Sequence, residues 1–286
     1  MKNYYLIILF IIFGCSNGQE NGEYENAVIL ESIILPKVIN ETSGLEILNE
    51  VFITHNDSGD KSNLYFFNLN GEIIDTIRLE ENSFWEVYNN DWEDITADEN
   101  YIFIADTGNN FGNRKNLNII KVKKSDFSIN GKINFSYKNQ DTFLPRPKHK
   151  YDAETLFIIE DKIAILSKDR SNLNTDLYLI DKEGAFEQIL ESKITFNVNS
   201  LITGGDYNIG LGLLALVGYN SIGSQFLILF ENFNLKELSE KKFKKYIIPL
   251  RPAQIEAIKI IDSKTFWITT EDEGLGNPYM YKIGVE

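Results

Sequence analysis

Cysteine occurs once in the 286 residues, at position 15, so no intrachain disulfide can form. Histidine occurs twice, as His55 and His149. Zinc sites draw on His and Cys, and this chain is poorly supplied for one. Basic residues are also in deficit, with 28 Lys and Arg against 42 Asp and Glu and a formal net charge of -14. That balance excludes nucleic-acid partners, because binding a phosphate backbone needs Lys and Arg to displace its counterions. An acidic surface suits metal cations instead. Enzyme signatures are missing too: there is no Gly-x-Ser-x-Gly elbow, no His-Glu-x-x-His and no phosphate-binding P-loop. Gly210-Leu211-Gly212-Leu213-Leu214-Ala215 spells part of a dinucleotide fingerprint, but its surroundings read as strand and lack the required helix. No amphipathic helix stands out, and residues 235 to 243 read as a charged loop or about two helical turns.

What is present is a large apolar supply, 43% hydrophobic and 13% aromatic, ample for a sizeable core. The longest apolar run, residues 5 to 13 after Lys2, is too short to span a membrane comfortably and reads as a secretory signal. It leads into Ile12-Phe13-Gly14-Cys15, which resembles a bacterial lipobox, so Cys15 is expected to carry lipid and anchor the chain to a membrane. The expected location is therefore the bacterial cell envelope, outside the cytoplasm. Residues 15 to 26, polar and rich in Asn, Gly and Glu, read as a flexible tether, and residues 27 to 286 as the domain.

Within that domain one phrase recurs: an acidic residue, a short apolar strand, a tight turn, a second apolar strand, and a loop rich in Asp, Asn and Gly. Asp91-Trp92-Glu93-Asp94-Ile95 followed by Asp106-Thr107-Gly108-Asn109-Asn110 is one copy. Glu41, Glu93, Glu154 and Glu256 open four of the copies, and a less regular one, fourth in chain order, opens near Gly204 to Asp206. Second strands are expected at 51 to 54, 101 to 104, 163 to 166, 213 to 217 and 265 to 268, each β-branched or aromatic and bounded by turn residues. A third strand follows in every copy and a fourth in the first four, while the fifth copy runs out of chain at Glu286. Residues 27 to 35 can supply its missing outer strand and close a ring. The expected fold is all-β, a β-propeller of five blades, or six if the long connection between the second and third copies conceals a sheet.

In such a ring the first strand of each blade lines a central channel, and its start shares a face with the loop joining strands two and three. Glu41, Glu93, Glu154 and Glu256 should then converge on one mouth and form the metal set. Around them stand Asn56, Asp57, Asp60, Asp94, Asp106, Asn109, Asn110, Asp169 and Asp206 as candidate ligand-binding residues, with Arg251, Glu271, Asp272 and Glu273 nearby. Crowded carboxylates need protons, cationic side chains or a metal. Ca²⁺ is the expected cofactor, since it takes six to eight oxygens in flexible geometry. The alternative is that each acid hydrogen-bonds backbone amides of the next blade. Trp92 reads as interblade packing or as a stacking platform, and His55 as a hydrogen-bonded loop residue or a general base. Arg114, Lys168, Arg170 and Arg251 read as ion-pair partners of the acids or as anion holders.

Glu41-Thr42-Ser43-Gly44-Leu45, the Thr54 to Asp60 loop, Asp91-Trp92-Glu93-Asp94-Ile95 and Asp106-Thr107-Gly108-Asn109-Asn110 make residues 27 to 286 similar to the SdiA-regulated and esterase-like-phytase propellers. That resemblance implies a calcium-associated module outside the cytoplasm. The expected function is a lipid-anchored, monomeric propeller that binds a small molecule or protein at an acidic mouth. A Ca²⁺-dependent hydrolase of phosphate esters or lactones is the alternative, with His55, Arg114 and Arg170 as its catalytic residues, and a ligand-free scaffold is a third reading.

Overall fold

The structure is a computed structural model that describes residues 24 to 82, 87 to 183, 186 to 250, 254 to 272, 274 and 276 to 286. The signal at 1 to 14, Cys15, the tether up to residue 23, Arg251 and Glu273 lie outside the described residues.

Five antiparallel sheets are built in chain order, each from short apolar runs separated by polar turns. Blade I contains Thr42–Leu48, Val51–Asn56, Asn63–Phe67 and Ile73–Arg78. Blade II contains Trp92–Ala97, Tyr101–Asp106, Asn118–Lys123 and Ile129–Tyr137. Blade III contains Ala153–Ile159, Lys162–Ser167, Thr175–Asp181 and Ile194–Phe196. Blade IV contains Leu201–Asn208, Leu213–Tyr219, Gln225–Phe230 and Lys244–Ile248. Blade V takes Ile255–Ile260, Thr265–Thr270 and Tyr279–Gly284 from the C-terminal end and Val28–Ile34 from the N-terminal end.

The first strands of successive blades lie side by side, and that of blade V returns to that of blade I, so the sheets close a five-bladed propeller. The connection between blades II and III holds no strand in its described residues, which leaves no sixth blade. Of the stretch between 235 and 243, only the single 3-10 turn Leu238–Glu240 is helical. No helix among the described residues is long and apolar enough to cross a membrane.

The core is divided among the interfaces. Each of five apolar clusters lies between two neighbouring blades, such as Ile53, Leu64, Trp92 and Ile104 between I and II, or Ile33, Phe52, Met280 and Trp267 between V and I. Fully buried Trp92 is thus interblade packing. Polar staples add to this where inner strands meet. Glu46 accepts the Ala97 N–H at 3.1 Å, Asp94 the Leu156 N–H at 2.7 Å, and Asp206 the Ile260 N–H at 2.9 Å. Each joins one blade to the next, and a buried N–H left without such a partner would cost about 1–3 kcal/mol.

Two straps were not evident from the repeat. Glu25–Asn26 pairs in parallel with Lys244–Ile248 of blade IV before the chain enters blade V, so the end of the expected tether is part of the fold. Tyr24 holds it there, its ring edge-on to Phe226 at 5.6 Å. Gln188–Leu190 likewise pairs in parallel with the outer strand of blade II before the chain completes blade III.

Candidate functional site

A β-bulge recurs at the start of every inner strand, and it decides which side chains reach the channel. In blade II, Trp92 pairs with Asp106 and Asp94 with Ala105, so Glu93 between them has no partner. The same skip falls at Glu154 in blade III, Thr203 in blade IV and Glu256 in blade V. Blade I shifts register between Ser43 and Glu46, where Gly44 and Leu45 are skipped; Ser43 itself pairs with His55, and it is the residue of this stretch that lines the mouth cavity. An extra residue at a bulge is free of the ladder and can aim its side chain away from the sheet plane. Glu93, Glu154 and Glu256 therefore reach the mouth from bulge positions and Ser43 joins them from blade I, while Thr203 holds the bulge position of blade IV without lining the cavity.

This corrects two expectations. Glu41 lies two residues before the ring position and is exposed; its backbone oxygen accepts the Asp57 N–H at 2.9 Å. Asp206 lies three residues beyond Thr203, deeper in the channel, where Lys259 Nζ reaches Asp206 Oδ1 at 3.0 Å and Glu46 Oε1 at 2.8 Å. Ser43 and Thr203 carry hydroxyls, so a search for acids passed over them. Both hydroxyls donate to the next blade, to the Glu93 and Ile255 carbonyls.

Glu93, Glu154 and Glu256 open into one cavity of about 270 Å³, lined also by Ser43, Asp57, Asn110, Lys168, Arg170, Tyr219, Gln254 and Glu271. Two carboxylate triads share the cavity-lining Glu93: Asp57, Asp91 and Glu93, and Glu93, Asp152 and Glu154, of which Asp91 and Asp152 are not part of the cavity lining. In each triad one oxygen per residue lies within 4.8 Å of the others. Asp91 and Asp152 were not among the expected site residues. Each precedes its ring glutamate by two positions, and the repeated Asp-x-Glu of Asp91-Trp92-Glu93 and Asp152-Ala153-Glu154 is the signal that could have revealed them.

Burial and mutual repulsion raise these acids. Desolvation, then Glu154 and Asp57, push Glu93 well above the usual carboxylate range. Desolvation, then Asp91 and Glu154, lift Asp57 to about 8. Glu154 also reaches about 8, with desolvation prevailing over the Lys168 ammonium. Glu256 is raised by burial and by Glu271. Among the described residues, the cations ion-paired to these acids sit on the Glu154 side. Lys168 contacts Glu154 at 2.5 Å, and Arg170 contacts Asp152 at 2.7 Å and Glu154 at 3.4 Å while also bonding Asn110. Burial opposes the charge on Lys168, but Glu154 and Glu256 hold its pKa raised.

Other expected site residues organise the loops rather than line the cavity. Asn56 donates to the Val38 carbonyl and to Asp60, which also accepts the Tyr65 hydroxyl. Asp106 accepts from Asn90 and Asn118 and pairs with Arg114 at 2.7 Å, and Arg114 also donates to the Gly108 carbonyl. Asn109 donates its N–H to Asp152 Oδ1 and its amide to the Tyr151 carbonyl, which positions a triad acid. Asp169 caps its own turn through Ser171 and Asn172. Asp272 accepts the Gly276 N–H. His55 is fully buried between blades I and II, its ring perpendicular to Trp92 at 5.5 Å, with Nδ1 on the Asn56 carbonyl. Desolvation lowers its pKa to about 4, so it is a neutral packing residue outside the cavity.

No family model matches the chain, and no curated protein matches it. Among solved structures it is similar to the Neurospora crassa Pan2 WD40 domain, at 10% identity over 88% of this chain and 77% of that one, with a TM-score of 0.41. A hypothetical protein from Leishmania major gives 10% identity over 90% and 91%, with a TM-score of 0.49. The mitotic checkpoint complex gives 11% over 96% and 74%, with a TM-score of 0.42.

Proposed function

We propose that this protein is a lipid-anchored propeller of the bacterial envelope that binds Ca²⁺ at the channel mouth and uses it to hold an anionic ligand. The anchoring rests on the sequence around Cys15. The observation that carries the Ca²⁺ reading is the convergence of Glu93, Asp152 and Glu154 oxygens within 4.8 Å in a buried setting, with Glu256 lining the same cavity. An all-oxygen carboxylate set fits Ca²⁺ and does not fit zinc. Glu93, Asp152 and Glu154 would hold the ion, and Glu256 adds a further carboxylate to that wall. Bound Ca²⁺ would supply positive charge and open coordination positions facing the cavity. Arg170, Lys168 and the half-buried Tyr219 line the rest and can receive the anionic part of a ligand. Acids retained as interblade staples, such as Asp94 and Asp206, accept backbone N–H groups, whereas no hydrogen bond to the Glu93 carboxylate is found among the described residues, which a purely structural ring leaves unexplained.

A second reading, hydrolysis of a phosphate ester or lactone, is favoured by one feature: Asp57 and Glu154, with pKa values of about 8, border the same cavity and could exchange protons near neutral pH. His55 and Arg114 take no part in that reading, because neither lines the cavity.

Thermal unfolding of the chelator-stripped protein with and without Ca²⁺ tests the metal. A ligand confined to the folded state stabilises it by about 2.7 kcal/mol at a hundred times its Kd. The expected result is a Ca²⁺-dependent rise in Tm, lost in Glu93→Gln and Glu154→Gln; an unchanged wild-type Tm overturns the reading. A turnover screen on phosphate esters and lactones then separates the binder from the hydrolase.

A further inference from the structure

Glu93 belongs to both triads, yet the two are unequally served. Asp152 and Glu154 are met by Arg170 and Lys168, whereas no ion pair to Asp57, Asp91 or Glu93 is found among the described residues. Glu93 is the more telling, being 6% exposed. It lines the cavity, and no hydrogen bond or ion pair to its carboxylate is found among the described residues, so it is a buried acid aimed into the site without a bonded partner among them. A buried polar group without a partner is costly, and a buried anion more so.

The backbone around this triad is nevertheless fixed. The Gly108 N–H donates to the Asp91 carbonyl at 3.1 Å, and the Asp57 N–H donates to the Glu41 carbonyl at 2.9 Å. Asn89 further ties the Asp57 carbonyl to blade II. The main chain is committed, and the three carboxylates are left facing one another. Such an arrangement is held in place for a cation rather than relaxed by turning the acids to solvent.

We infer that the mouth holds a second divalent cation on Asp57, Asp91 and Glu93, with Glu93 bridging it to the first. This rests on the reading that Glu93, Asp152 and Glu154 hold Ca²⁺. A shared carboxylate between two oxygen-ligated ions is the arrangement that lets a pair of metals grip one anionic ligand from two sides. It also explains why the triad ion-paired to Lys168 and Arg170 and the triad with no ion pair stand next to each other: two paired cations supplement one ion, whereas the other has the charge of Arg114, itself paired to Asp106, near Asp91.

The test is calorimetric titration of Ca²⁺ alone into the full chain after chelator treatment, together with Asp57→Asn/Asp91→Asn and Glu93→Gln. Expected are two ions per wild-type chain, one in the Asp57→Asn/Asp91→Asn double variant, and a loss of at least tenfold in affinity at both sites in Glu93→Gln. One ion in the wild type, or two in the double variant, overturns the second site while leaving the first intact. No Ca²⁺ binding in the wild type overturns both readings. Far-ultraviolet circular dichroism of each variant establishes that it is folded; should the double variant fail to fold, the wild-type stoichiometry alone decides.

Discussion

Gly108 stands so close to Glu93 that a Cβ at position 108 would lie 2.0 Å from Glu93 Oε1 and 2.4 Å from the Asp91 carboxyl carbon. The loop of blade II therefore forms the wall against which two of the mouth carboxylates rest, and only a residue without a side chain leaves them room. Gly108→Ala should push both acids off their positions. We expect Ca²⁺ affinity to fall at least tenfold in a calorimetric titration, and stability to fall by about 1–3 kcal/mol, the usual cost of overpacking a filled site.

Glu93, Asp57 and Glu154 have pKa values raised in the fold by burial and mutual repulsion, the last two to about 8. The folded protein thus binds more protons than the unfolded chain between the ordinary carboxylate pKa and about 8. Stability of the metal-free protein must then be greatest below that window and must decline as pH rises through it. Ca²⁺ replaces the protons, so the decline should flatten in its presence, and binding near pH 7 should release protons. Tm measured from pH 5 to 9 with chelator and with Ca²⁺ checks the sign; a metal-free Tm that climbs across this range contradicts the assignment.

The ring was legible because burying both faces of each sheet imposes the same strand lengths in every blade. Even the closing strand could be read, since residues 27 to 35 and the truncated fifth copy complete each other. The site was less legible for a local reason. Lining the copies up by their acids equates Glu41 with Glu93, but the cavity lining puts Ser43 beside Glu93, and the bulge equates Thr203 with Glu256. A bulge depends on strand pairing and leaves no composition of its own. The straps at Glu25–Asn26 and Gln188–Leu190 are parallel pairings to a different blade, and no feature of so short a segment specifies its partner.

Lys259 joins Glu46 and Asp206 below the mouth, at 2.8 and 3.0 Å, where both carboxylates are buried and the lysine side chain is 18% exposed. Burial works against its charge, and Asp206 and Glu46 overcome that and raise its pKa. Lys259→Met leaves two buried carboxylates facing each other, and breaking such a group typically costs about 3–5 kcal/mol. Urea denaturation should show a loss of that size, with partial recovery in Lys259→Met/Glu46→Gln. A change below about 1 kcal/mol would mean that solvent already screens the cluster.

Glu93 and Asp94 are adjacent in sequence and burial raises both carboxyls, but their substitutions should differ in their effect on Ca²⁺ binding. Asp94 turns away from the mouth and accepts the Leu156 N–H at 2.7 Å and the Ile95 N–H at 2.8 Å, one on each oxygen. Asparagine has a single acceptor oxygen, so Asp94→Asn leaves one of these N–H groups facing an amide. The expected loss is about 1–3 kcal/mol, with Ca²⁺ binding retained. Glu93→Gln instead removes a charge that finds only other acids around it. At pH 9 in chelator it should raise stability, and each 1 kcal/mol gained moves Tm up by about 2–4 °C in a domain of this size. The same variant should lose its response to Ca²⁺. The Ca²⁺-dependent rise in Tm, measured side by side, separates an interblade staple from a ligand position: kept in Asp94→Asn and lost in Glu93→Gln is expected, and loss in both variants would place both residues in one structural role.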